Sequence, residues 1–307
     1  MSPSVMRKLA KPMLFCSAFI WGSGFVVMKN ALDSLPVLYL LAIRFTVGAV
    51  LMSLLCGRKW RLFTWDYVWR GALAGVLLFL GFYIQTLGLD LTTPSKNAFL
   101  TSVYCVIVPF LYWAVIGTRP DRYNILAALF CVAGVGLVGF NGDLSVNRGD
   151  LLTLFCAVFF AAHIVAVARV SPQKDIYLLT AFQFIFSALC GWIGIALSGT
   201  AFPAAALGQR DILMALAYLG VMPTTVALLF QNVGQVNSDP ASASVILSLE
   251  SVFGVVCSVL FYGDRITPLM LLGFCLIFVA VVCSETKFSF LRRKPAEGKP
   301  SAGGVSV

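Results

Sequence analysis

Charge is scarce in this chain. Lys, Arg, Asp and Glu together make up 11% of its 307 residues, while hydrophobic types make up 60%. Soluble domains usually carry about 25% charged and 45–50% apolar residues, so a water-soluble globular protein is excluded. Histidine is scarcer still, with His163 the only one. No HExxH, GxSxG or ATP-binding P-loop occurs, which argues against a zinc hydrolase, a nucleophile-elbow enzyme and direct ATP drive. The nine cysteines (Cys16, Cys56, Cys105, Cys131, Cys156, Cys190, Cys257, Cys275 and Cys283) fall in or at the ends of apolar runs, with no CxxC. Neither a disulfide framework nor a zinc site is expected from that distribution. The thiols read as small packing residues, and no metal or cofactor is expected.

Long apolar runs are what the chain does have. Each is about 20 residues, long enough to cross a hydrocarbon core of roughly 30 Å as a helix. They are continuously apolar rather than alternating, which selects helices over a barrel. Ten spans are read at about 12–31, 37–57, 69–90, 94–116, 122–140, 150–170, 176–197, 211–236, 240–262 and 266–285. The first begins with a basic stretch like a signal peptide, but no small-residue cleavage site follows it, so it reads as a span. Most connections are short and hold Gly, Pro, Asn or Asp, such as DSLP, GTRPD and YGDR, and so imply antiparallel neighbours. With the N-terminus in the cytoplasm, 16 of the 22 Lys and Arg residues fall on the inside and five at outer ends; Arg44 lies within span 2. The expected orientation therefore puts both termini in the cytoplasm, and the net charge of +9 reflects that bias rather than nucleic-acid binding.

The chain also repeats itself. A shift of 146 residues puts Gln85 on Gln231, Gly88 on Gly234, Pro94 on Pro240, Ser102 on Ser248, Gly117 on Gly263 and Arg119 on Arg265, with nine of the 53 positions from 85 to 137 identical. A shift of 139 puts Ala42 on Ala181, Phe45 on Phe184 and Arg44 on Gln183. The fold class expected is an all-α polytopic membrane protein of ten helices in two five-helix repeats. An odd number of spans turns the second repeat upside down, an arrangement common in secondary transporters. The divisions expected are an N-terminus at 1–11, repeats at 12–140 and 150–285, and a polar, Gly- and Pro-rich tail at 286–307 expected to be disordered.

WGSGFV (21–26), the Pro36…Arg44-Phe45 pattern and SLES…YGDR (248–265) resemble the EamA-type drug/metabolite transporters, over about residues 12–285. The resemblance implies a ten-helix exporter of amino acids or other small metabolites, working by alternating access in a bacterial inner membrane. The chain departs from the family pattern at Ser251, where Pro is frequent after the span-9 Glu, and this departure predicts a straighter span 9. Asp264 stands where Glu is commoner, and Thr118 occupies the equivalent place in the first half.

Polar residues inside a membrane are costly and usually face a bundle interior or an aqueous cavity. Glu250 lies at the centre of span 9 beside Ser244, Ser248, Ser251 and Ser258. It is either a proton or cation site on a cavity wall, or a protonated or paired lock between helices. Arg44 attracts a substrate carboxylate, forms an ion pair with Glu250 or Asp90, or snorkels to the surface. His163 relays protons or bonds helix to helix. Trp21, with Tyr83 and Tyr104, shapes an apolar pocket or simply packs; Tyr104 is the repeat mate of Glu250. Gln85 and the Gln231, Asn232, Gln235 cluster line a path or join helices, and Lys29 and Lys96 read as snorkelling. GVGLVG (134–139) matches GxGxxG but lies inside span 5, where close helix packing explains it, as it explains Gly71 and Gly75.

A secondary transporter with a central cavity lined by spans 1, 3, 4, 6, 8 and 9 is the leading expectation. A passive channel and a membrane enzyme with an acidic site are the alternatives. The partners expected are a small-molecule substrate, with proton coupling left open, membrane lipid and, as an open alternative, a second copy in a homodimer. Nucleic acid is not expected.

Overall fold

The computed structural model describes residues 3–117, 119–139, 147–237 and 240–286. Thr118 and the tail beyond Thr286 lie outside the described residues, as does the side chain of Ser244. The described chain is helical, with no strand among the described residues. In order, the elements are α1 (Pro3–Leu32), α2 (Val37–Cys56), α3 (Asp66–Leu91), α4 (Pro94–Thr101), α5 (Tyr104–Ile116), α6 (Arg122–Gly139), α7 (Arg148–Val170), α8 (Ile176–Ser198), the short α9 (Ala204–Leu207), α10 (Arg210–Leu219), α11 (Ala227–Val236), α12 (Pro240–Cys257) and α13 (Pro268–Thr286). A 3₁₀ turn follows α2, and π-helical turns follow α10 (Gly220–Val226) and α12 (Ser258–Tyr262). Among the described residues, seven helical segments are long and apolar enough to cross a membrane, and three shorter apolar helices cover Arg122–Val138, Ile246–Tyr262 and Pro268–Cys283.

Local chemistry sets the helix ends. Thr93 accepts the Lys96 N–H with Pro94 at the first helical position, and Asp175 accepts the N–H groups of Tyr177 and Leu178. Both satisfy donors that a helix start leaves orphaned. Gly117 ends α5 at φ +89° and Gly263 ends the turn after α12 at φ +77°, a left-handed conformation that glycine adopts without strain.

Two expected spans are not regular. The stretch 94–116, read as one continuous span, breaks at Ser102–Val103. There the Ser102 hydroxyl takes the Phe99 carbonyl at 2.7 Å, and backbone bonds shorten to three-residue spacing, as in Cys105 N–H to Ser102 O at 3.1 Å. In span 8, Pro223 has no N–H for the Leu219 carbonyl. The Thr224 hydroxyl donates to that carbonyl at 2.8 Å, Thr225 does the same for Gly220 at 2.8 Å, and the helix widens into its π turn. Span 9 is unbroken across Ser251 as far as Cys257, in keeping with the missing proline.

Two apolar cores flank the centre. One joins Leu40, Phe45, Leu78, Leu178, Phe184 and Leu216; the other joins Phe99, Leu100, Ala161, Phe274 and Ile277. Phe160 of α7 packs against both. Between them α1 meets α12 very closely. A Cβ on Gly22 would fall 2.4 Å from the Phe253 Cβ, and one on Gly254 would fall 2.5 Å from the Ala98 Cβ of α4. In the GVGLVG stretch, Gly134 lies against Gly273 of α13, whereas nothing comes near Gly136. Gly71 and Gly75 lie against Phe182 and Gln183 of α8. None of the nine cysteines is in a disulfide among the described residues, and six are buried.

At one end of the bundle, Lys59 pairs with Asp175 at 2.7 Å and Lys174 with Asp66 at 3.1 Å. At the other end, the two lysines read as snorkelling are tied to neighbouring helices. Lys29 Nζ donates to the Leu89 and Asp90 carbonyls at 2.9 and 2.8 Å, neutralising the C-terminus of α3. Lys96 is buried and pairs with Asp150 of α7 at 3.4 Å, because two helix starts from distant parts of the chain meet there. The Thr92 hydroxyl also donates to Asp150. Nearby, Asp264 accepts from the Ser95 and Ser258 hydroxyls and from the Ser95 N–H, tying α4 to the turn after α12.

Candidate functional site

A cavity lies where α1, α3, α7, α11 and α12 converge. Its apolar walls include Trp21, Phe25, Leu78, Phe82, Phe160 and Ile164. Of the residues singled out from the sequence, Trp21, Arg44, Tyr104, His163, Gln231 and Glu250 line it. Gln85 lines it as well. Spans 1, 3, 4, 6, 8 and 9 each contribute, and Arg44 adds span 2.

Tyr83 and Asn232 stand outside. Tyr83 stacks on Phe79 with ring centroids 5.7 Å apart. The Asn232 amide donates to the Thr180 hydroxyl at 2.8 Å, joining α11 to α8. In both cases the adjacent residue, Phe82 or Gln231, reaches the cavity instead. One step along a helix turns the side chain by about 100°, and the sequence pattern did not resolve that step. Of the serines beside Glu250, Ser248, Ser251 and Ser258 do not line the cavity. Ser248, Ser251 and Ser258 are buried; Ser251 donates to the Ser248 carbonyl at 2.7 Å and Ser258 to Asp264 at 2.9 Å.

The polar groups of the cavity are positioned by separate elements. Trp21 Nε1 donates to the Pro223 carbonyl at 2.9 Å, which seats the indole against the π turn. Arg44 is 1% exposed, so it does not snorkel. Its Nε donates to the Thr224 hydroxyl at 2.9 Å, and its Nη1 lies 3.5 Å from the Met28 sulfur. The guanidinium carbon lies 4.5 Å from the Phe82 ring centroid and 5.6 Å from that of Phe45, a cation–π setting. Neither Glu250 nor Asp90 pairs with it, and no ion pair of Arg44 occurs among the described residues. Glu250 instead lies near Tyr104, and both line the cavity. His163 lies near Gln183, and its Nε2 is without a hydrogen-bond partner, as is Gln183 Nε2; Gln85 Oε1 is also without one, although Gln85 Nε2 donates to Thr101 at 3.0 Å.

This arrangement can enclose a small molecule with an apolar body and offer it a guanidinium, a carboxyl, an imidazole nitrogen and amide groups. No cluster of His, Cys, Asp and Glu able to hold a metal occurs among the described residues. The sequence did not point to Thr224 and Pro223, which hold Arg44 and Trp21, or to the Asp150 and Asp264 contacts that brace α4. A proline inside an apolar span was the available signal for the first pair.

The sequence pattern of the EamA-like transporter family matches the chain twice, over residues 9–140 and 147–286. An uncharacterized transporter of Archaeoglobus fulgidus is 33% identical over 283 residues, covering 91% of this chain and 86% of that protein. The uncharacterized inner membrane transporter YedA of Escherichia coli (strain K12) is 22% identical over 272 residues, covering 88% of each. A protein crystal structure shares the fold with a TM-score of 0.68 and 17% identity, covering 92% of this chain and 99% of its own. The chain therefore belongs to the EamA-like transporter family and is a multi-pass membrane transporter rather than an enzyme.

Proposed function

We propose that the protein is a secondary transporter of ten spans in two inverted repeats, exporting amino acids or related small metabolites across a bacterial inner membrane by alternating access. In this reading residues 12–140 and 150–285 are the two repeats, flanked by an N-terminus at 1–11 and a tail at 286–307, and both termini are cytoplasmic. The observation that carries it is the meeting of repeat mates at one cavity. Tyr104 and Glu250, 146 residues apart, both line it and lie near each other. Gln85 and Gln231 line it too, and Phe45 and Phe184 touch with ring centroids 6.3 Å apart. Matched residues that meet at the centre suit a pseudo-two-fold axis there.

The doubled family match supports the same reading. The relative named as an inner membrane transporter supports the location. Outward-facing apolar residues such as Leu54, Val132 and Leu197, the last 84% exposed, suit lipid as the surrounding partner. We keep a second copy as a proposed partner on the apolar exterior, and nucleic acid has no place in the reading. During transport the Asp264 contacts with Ser95 and Ser258 would part to open the outer mouth.

A cysteine at Ile164, on the cavity wall, tests this in a variant whose Cys16, Cys190 and Cys275 are serine. A membrane-impermeant thiol reagent is expected to reach it from either face. A disulfide between Ser95→Cys and Asp264→Cys is expected to stop labelling from the Asp264 face and leave labelling from the other. Labelling from the Asp264 face that persists after cross-linking contradicts alternating access.

A further inference from the structure

We infer that Arg44 is the docking point for a carboxylate of the transported molecule, and that the substrates are small organic acids with an apolar body, zwitterions included. The inference rests on the transport reading of the cavity and names the chemistry the cavity selects.

A guanidinium buried without a counter-charge is costly, since a low-dielectric interior does not replace its hydration. Arg44 is in that position. It is 1% exposed and forms no ion pair among the described residues. Neither of the two acids that sequence reasoning offered it pairs with it: Glu250 lies beside Tyr104, and Asp90 is exposed near the end of α3. Arg44 lines the cavity nonetheless.

The side chain is also held in place. Its Nε is fixed by Thr224, whose hydroxyl is aimed by the π turn at Pro223, and the Phe82 ring supports the guanidinium plane. Holding Nε leaves Nη2, and Nη1 in exchange for its long contact with the Met28 sulfur, to meet an incoming acid. A planar carboxylate matches the guanidinium fork with two parallel hydrogen bonds. No lysine lines the cavity, so a single cation faces the ligand, which suits a monoanion better than a phosphate dianion. Trp21, Phe25, Phe82 and Phe160 are there for the apolar body. Glu250 lines the same cavity without pairing to Arg44, so the cavity accepts a ligand that carries an ammonium as well as a carboxylate.

The test is ligand binding to the purified full chain in nanodiscs, with four probes: 3-phenylpropionate, L-phenylalanine, L-phenylalaninamide and 3-phenylpropan-1-amine. The two carboxylates are expected to bind at least about tenfold more tightly than the amide and the amine, the effect of one charge-assisted contact. Arg44→Gln is expected to erase that preference and Arg44→Lys to keep part of it. Should Arg44→Gln fail to fold, Thr224→Val keeps the charge but frees the fork, and it is expected to weaken carboxylate binding alone. Tighter binding of the amide or amine, equal carboxylate binding in Arg44→Gln and wild type, or no binding of any probe overturns the assignment. In those cases face-dependent labelling at Ile164→Cys would still uphold the transport reading, so the two fail separately.

Discussion

Glu250→Gln is expected to leave the protein folded and able to exchange substrate, yet unable to accumulate it against a gradient when only a pH difference drives transport. Glutamine keeps the shape of the side chain, which lies near Tyr104 in the wild type; it cannot take up or release a proton. One pH unit across the membrane is worth about 1.4 kcal/mol per proton, or roughly tenfold in concentration ratio. The wild type, if it moves one proton per cycle, should therefore approach about tenfold accumulation per pH unit, while the variant should stop at equal concentrations. Uptake into proteoliposomes under an imposed pH step measures this. The sequence left Glu250 as either a proton site or a structural lock between helices, and these separate here. A lock, which the isosteric glutamine largely preserves, predicts unchanged pH-driven accumulation. Its position on a cavity wall, beside the repeat mate Tyr104, favours the proton site.

Asp150→Ala is expected to be among the most destabilising single changes. The carboxylate pairs with Lys96 at 3.4 Å, with the two side chains only 5% and 8% exposed, and it accepts the Thr92 hydroxyl. Removing one partner of a buried pair costs about 3–5 kcal/mol, because the remaining charge stays in a low-dielectric site. The loss should appear as a lower midpoint of equilibrium unfolding in mixed micelles. Asp150→Ala combined with Lys96→Met should recover a large part of it, since the stranded ammonium is then gone. If the double variant is as unstable as the single one, the pair is not the source of the loss. The contact matters beyond stability, since it anchors the start of α4, the helix that carries Thr101 to the cavity.

Much of this arrangement was legible in the chain. Continuous apolar runs announced the helices, and the scarcity of intramembrane polar residues made those present conspicuous. Arg44, His163 and Glu250 were found because each is expensive in lipid, and all three line one cavity. For Tyr83 and Asn232 the structure shows the packing and helix-joining alternatives, which the sequence could not choose between because apolar runs without a strong polar face do not fix helix rotation. The pairing of Lys96 with Asp150 was hidden for another reason. It joins two helix starts 54 residues apart, and a lysine near a span end reads equally well as snorkelling until its neighbours are known. The hold on Arg44 was hidden because it depends on a backbone irregularity. Only the π turn at Pro223 delivers the Thr224 hydroxyl, and a hydropathy pattern carries no trace of it.

Counterflow tests the central claim most directly. Proteoliposomes containing the wild-type protein are loaded with an unlabelled amino-acid mixture and diluted into a trace of the same mixture in radiolabelled form. A carrier whose cavity opens to one face at a time should draw label inward to a transient overshoot above its final level, at a rate that saturates with concentration. A steady, non-saturating approach to equilibrium with no overshoot would mean an open path, and would contradict the account.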